Sequence, residues 1–201
     1  IITDVDVFEQ ISKNRLSAAR DRDGMVFAAF GAQFQVYSAD PRASIRTRCP
    51  SGVCLDFVTD SPVVKLEYIV RDFARKWLFF DLYINDRFVE TAGGPREEAG
   101  GGTVEFAIPN NRAAGDGKLR RVTIYLPHLA DIAVVHMELA DGAVLEPAPM
   151  HRRNLLSLGD SITQGMNAHR PSSAYPVQDF CIQLEFDQGN ENLGNRVNHR
   201  K

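Results

Sequence analysis

Long apolar runs are missing from this sequence. No stretch approaches the ~20 consecutive apolar residues that a membrane-spanning helix requires, so no membrane partner is expected. The N-terminus, IITDVDVFEQ, has neither the basic start nor the apolar middle of a secretory leader. The reading is a cytoplasmic protein, with the missing initiator Met pointing to a trimmed or partial product. Charge of one sign is lacking too. Lys and Arg number 23 against 26 Asp and Glu, for a net charge of -3, and the basic residues are dispersed. A polyanion finds no electrostatic footprint in such a pattern, which excludes nucleic acid as the expected partner. Cysteine is scarce. Cys49, Cys54 and Cys181 are an odd set, and they build no disulfide framework. Cys49 and Cys54 flank a turn at Pro50-Ser51-Gly52. They either face each other across a hairpin or are two small strand residues of a reduced protein, and the second reading is preferred. No set of Cys and His has the spacing of a zinc site, so no metal is expected.

What is present is two-residue alternation. From about residue 25 to 147 apolar side chains recur at every second position, first at Phe34 and Val36 and then at Val53, Leu55 and Phe57. The beat continues through Val64, Leu66, Tyr68 and Val70, then Leu78, Phe80, Leu82 and Ile84. Val104, Phe106 and Ile108 repeat it, as do Val122, Ile124 and Leu126. Side chains two apart share one face of a strand, so each run offers one apolar face to a core. Asp60-Ser61-Pro62, Asn85-Asp86 and Asp141-Gly142 punctuate the runs, and the last two read as hairpin turns. Many short one-sided strands predict a β-sandwich of jelly-roll kind over residues 1–147. The segment GGPREEAGGG, residues 93–102, lies between strands and reads as a mobile loop. A phosphate cradle needs its glycines between a strand and a helix.

Residues 146–153, EPAPMHRR, read as a linker, and the pattern changes after them. Leu155, Leu156 and Leu158 suit a strand buried on both faces, and the stretch LLSLGDSITQG then breaks into a polar turn. Ser172 and Ser173 can cap a following helix with Pro176 in its first turn, and Val177, Phe180, Cys181 and Leu184 keep helical spacing. Ser161 therefore stands where a chain leaves a sheet for a helix, the place where open α/β sheets put ligands. A serine hydroxyl becomes a nucleophile only with a base to take its proton and donors for the oxyanion. Gly159 would let the backbone bend there, and Asp160 would hold the turn. The alternative is an ordinary loop with Ser161 as a helix cap.

The GDSITQG block, the apolar run before it and Ala174-Tyr175-Pro176 after it resemble the first signature block of the SGNH (GDSL) hydrolases. The β segment before it, above all KLRRVTIYLPHLADIAVVHMELADGAVLEP, is similar to the sandwich that precedes the catalytic domain in two-domain members. The resemblance implies an esterase or acylhydrolase of carbohydrate or lipid esters, with Ser161 as nucleophile and its backbone N–H in the oxyanion hole. It implies a flavodoxin-like α/β/α domain beginning within residues 148–201, and no metal or organic cofactor. The family's second block maps onto Gly194 with poor surroundings, and GNEN at 189–192 is not the Gly-x-Asn-Asp of its third. Its Asp-x-x-His is absent, since none of His128, His136, His151, His169 and His199 has an Asp three residues before it. His169 lies eight residues past Ser161, in what reads as a surface loop, and His199 lies in a polar tail. The expectation is a whole sandwich followed by only the first βα unit of the catalytic domain, inactive or nearly so by itself. A shortened product, a gene fragment or a frame-shifted product would each explain the tail.

A binding module is the competing reading. In KWLFFDLY, Trp77, Phe79 and Tyr83 share the face opposite Leu78, Phe80 and Leu82. Those three rings form a sugar platform if exposed, or a packed layer if a second domain or the N-terminal segment covers them. A purely structural sandwich that positions the second domain or self-associates is the third reading.

Overall fold

The computed structural model describes residues 1–29, 39–109, 118–149 and 161–174. Helix α1 (Val5–Ile11) starts where the Asp4 side chain accepts the Asp6 N–H at 2.8 Å, which satisfies one orphan donor of the first turn. Its Phe8 and Ile11, one turn apart, are buried, and the Phe8 ring lies 6.2 Å from that of Phe27. Helix α2 (Pro41–Arg48) is opened in the same way by Asp40, with Pro41 in its first turn.

The strands are β1 (Ser12–Lys13), β2 (Ser17–Arg20), β3 (Met25–Ala28), β4 (Cys54–Thr59), β5 (Val63–Phe73) and β6 (Trp77–Ile84). They continue with β7 (Arg87–Pro95), β8 (Gly100–Ala107), β9 (Arg120–Tyr125), β10 (Ala130–Leu139) and β11 (Glu146–Pro147). One antiparallel sheet runs β1-β4-β9-β6-β7, with β11 also paired to β4. The second runs β2-β3-β10-β5-β8. The alternating positions Leu55, Phe57, Leu78, Phe80, Leu82, Val122 and Ile124 of the first sheet share one core with Val64, Leu66, Val70, Val104, Phe106, Ile132 and Val134 of the second. Burying such apolar area is the main favourable term for the fold. Phe34 and Val36 lie outside the described residues.

Asn85 and Asp86 hold φ of 50° and 63° between β6 and β7, the positive values a type I′ hairpin turn requires. Asp141-Gly142 is also a turn, but it makes no hairpin. The chain leaves β10 there and crosses to the other sheet, where β11 pairs with β4. The Gly-rich segment 93–102 is not a loop either. Gly93 and Gly94 lie in β7 just before its last residue, Pro95, Gly100–Gly102 begin β8, and only four residues pass between the sheets. Gly93 has φ +108°, and a Cβ there would sit 2.1 Å from the Leu78 carbonyl oxygen, so close strand approach demands glycine. The first two residues of the expected linker, Glu146 and Pro147, are a strand. Cys49 faces no hairpin partner. It caps the C-terminus of α2 as a buried thiol, pushed up to about 12 chiefly by burial and next by the Asp131 carboxylate.

Candidate active site

Ser161 opens a tight turn. The Met166 N–H donates to its carbonyl at 2.9 Å, the Gly165 N–H donates to Ile162 O at 2.9 Å, and the Ala168 N–H donates to Gly165 O at 2.8 Å. Ser161 is half-buried, Ile162 is exposed, and Gly165 and Met166 are buried. Among the described residues, nothing hydrogen-bonds to Ser161 Oγ. The chain then enters a single 3-10 turn, Pro171–Ser173, which holds both Ser172 and Ser173. Gly159, Asp160 and Gly194 lie outside the described residues, as do His151, His199 and the helix expected beyond Pro176.

The segment 161–174 lies on the outer face of the first sheet and at the loop before β10. His128, in that loop, is buried, and its Nε2 lies 3.0 Å from Gly165 O. A carbonyl oxygen only accepts, so Nε2 carries the proton. Burial holds the His128 imidazole below its ordinary pKa, and the Gly165 and Ala168 carbonyls only partly offset this. Gln164 Nε2 donates to Arg46 O at 2.8 Å, at the end of α2, and to Ser51 Oγ at 3.2 Å. Ser51 Oγ in turn donates to His128 O at 3.0 Å.

Asp81 anchors the far end. It is fully buried in the middle of β6 and accepts the Ser172 N–H at 2.8 Å and the Thr91 hydroxyl at 2.6 Å. At the start of the same strand the Trp77 indole stacks on the His169 imidazole, with centroids 5.6 Å apart and planes at 19°. The Arg170 guanidinium lies 4.0 Å above the Phe88 ring, within cation–π range. Arg75 Nη2 donates to Asn167 Oδ1 at 3.2 Å.

Of the three rings on the outer face of β6, Trp77 and Phe79 are half-buried and Trp77 is stacked by His169. Tyr83 meets Phe88 and Tyr125 edge-on. His136 is a cross-strand residue. Its Nε2 lies 2.8 Å from Glu138 Oε1, and it is paired in register with Glu67 across β10 and β5. Reading the sequence missed Asp81, His128 and Gln164. A signal existed for the first, because an acid in the middle of WLFFDLYI must find partners once its strand is covered. Among the described residues, no three His, Cys, Asp or Glu side chains converge to hold a metal ion. Nor is any described helix long and apolar enough to cross a membrane.

Fold and site together define a two-sheet β scaffold with a seryl turn docked on its outer face. No protein-family model matches the sequence, and no curated protein does. Solved structures share the fold. The chain superposes on a salicylyl-acyltransferase, SsfX3, from a tetracycline biosynthetic pathway, with a TM-score of 0.68 at 21% identity. The match covers 86% of this chain and 49% of that one. A GDSL-like lipase from Bacteroides ovatus superposes with a TM-score of 0.56 at 20% identity, over 84% of this chain and 51% of that one. At these identities the likeness is one of fold. The chain spans about half the length of either neighbour.

Proposed function

We propose that this chain carries the sandwich and the nucleophile turn of a serine-dependent ester hydrolase or acyltransferase of GDSL type, with Ser161 as the attacking residue. One observation carries the reading. The serine of the GDSITQG block stands half-exposed at the start of a tight turn, its hydroxyl unengaged among the described residues, in a fold shared with an acyltransferase and a GDSL-like lipase. In this reading Gly159 and Asp160 shape the entry to the turn, the Ser161 N–H and Gly194 serve the oxyanion, and residues 148–201 begin a flavodoxin-like catalytic domain after a jelly-roll sandwich. The substrate is a small-molecule or carbohydrate ester.

Ser161 Oγ attacks the ester carbonyl carbon, the alkoxide or phenoxide leaves, and the hydroxyl proton passes to a base. No described histidine is bonded to that hydroxyl. His128 binds Gly165, His136 binds Glu138, and His169 stacks on Trp77. The sequence has no Asp-x-x-His, so turnover by the 201-residue chain is expected to be slow, limited to what binding and oxyanion donors supply. Brief exposure to p-nitrophenyl acetate followed by peptide mass mapping tests the assignment. Ser161 should be acetylated above the level of the other serines of the chain, with that label absent in Ser161→Ala. Labelling of Ser161 no greater than that of the other serines would remove the basis for the reading.

A further inference from the structure

We infer that His128 is a positioning residue for Ser161, so that the β scaffold itself supplies the anchoring half of the nucleophile site. The inference rests on the reading of Ser161 as nucleophile, and it adds a residue 33 positions upstream whose imidazole bonds the backbone of the turn. Two hydrogen bonds link the imidazole to the nucleophile. His128 Nε2–H donates to Gly165 O, and the next residue, Met166, donates its N–H to Ser161 O. Gln164 closes the other side of the turn onto Arg46 O and Ser51 Oγ, and Ser51 returns the network to the His128 carbonyl. The turn is thus clamped from both flanks by groups that meet only in the folded scaffold.

The fit is steric as well as polar. Gly165 has φ +84°, and a Cβ there would stand 2.7 Å from Ala174 Cβ and 3.3 Å from His128 Cδ2. The imidazole therefore packs against the backbone of the turn while bonding its carbonyl. Such fixation matters because a nucleophile misplaced by about 1 Å loses on the order of 100-fold in rate. Asp81 performs the same office eleven residues past Ser161, through the Ser172 N–H, and keeps the chain after the turn on the sheet.

The test reads docking, so it stays separate from the chemistry of Ser161. Trp77 is the one tryptophan of the sequence, and its stack on His169 makes its emission a reporter of whether 161–174 lies on the sheet. His128→Leu removes the donor. It should shift Trp77 emission to the red and speed hydrogen exchange of the Gly165, Met166 and Ala168 amides about tenfold, with the β10 amides unchanged. His128→Gln restores an N–H donor at similar reach and should stay within about twofold of wild type. Gln164→Ala, a change outside the core, should loosen the same amides and so keeps the test open if the leucine variant folds poorly. Wild-type emission and exchange in both loosening variants would overturn the inference, as would a glutamine variant no tighter than the leucine one. Ser161→Ala should leave both readouts untouched, so the assignment of the nucleophile stands or falls separately.

Discussion

Gly165 sits where an ordinary side chain has two reasons to be excluded. Its φ of +84° is left-handed, which costs a residue with a Cβ about 1–2 kcal/mol. A Cβ would also overlap Ala174 Cβ at 2.7 Å, closer than any relaxed contact. Both penalties fall on the docked turn and neither on the strands. Gly165→Ala should therefore weaken docking of residues 161–174 by at least the backbone penalty of about 1–2 kcal/mol, measured as faster amide exchange there, while the urea midpoint of the sheets hardly moves. Equal exchange in the variant and the wild type would mean that the turn can relax around the methyl group. Two described residues of the GDSITQG block thus have distinct parts. Ser161 supplies a hydroxyl, and Gly165 supplies the close approach that lets the imidazole of His128 reach a carbonyl.

At the scale of elements, β4 and β9 are joined through a polar layer on their outer face. Arg121 grips Asp56 with two bonds, Nε at 2.9 Å and Nη2 at 2.7 Å, and Thr123 Oγ1 donates to the same carboxylate at 3.0 Å. The Asp56 side chain is 5% exposed and that of Arg121 is 17% exposed, so solvent screens the pair little. Asp56→Ala removes both bonds to the guanidinium and leaves it the 3.5 Å contact to Asp86. Urea unfolding should show a loss of about 3 kcal/mol, near the lower end for breaking a buried pair because Asp86 remains. A loss below about 1 kcal/mol would place the pair among ordinary surface bridges.

The strands that could be read from the sequence are those with one face in the core. β5 alternates buried and half-buried positions for eight residues, and its pattern in VVKLEYIV is plain. β7 could not be read that way, because it is an edge strand with its first four residues exposed and two glycines near its end. The helices of seven and eight residues were too short for a 3.6-residue period to emerge. Their legible marks were the caps, Asp4 and the Asp40-Pro41 pair. Asp141-Gly142 shows the limit of turn chemistry. It announces a reversal but does not say which sheet receives the chain.

Across the whole molecule, the turn that starts at Ser161 was legible because its residues are contiguous. Its anchors were not, because Arg46, Ser51, Asp81 and His128 come from four separate places in the chain and share no local pattern. The seam between 161–174 and the scaffold should respond to pH through His128. Burial outweighs the Gly165 and Ala168 carbonyls and lowers the His128 pKa, and undocking, which opens the ring to water, is expected to return it toward the ordinary value of about 6.5. Between the lowered pKa and that value the undocked state binds more protons than the docked one. Docking is therefore fully favourable above about pH 6.5, is lost progressively as pH falls through that value, and levels off below the docked pKa. Amide exchange of residues 161–174, corrected for intrinsic rates, should show less protection at pH 5 than at pH 7.5. The same comparison on His128→Gln should lose that slope, since the amide does not titrate. A slope that persists in the glutamine variant would show that His128 is not the group that couples docking to pH.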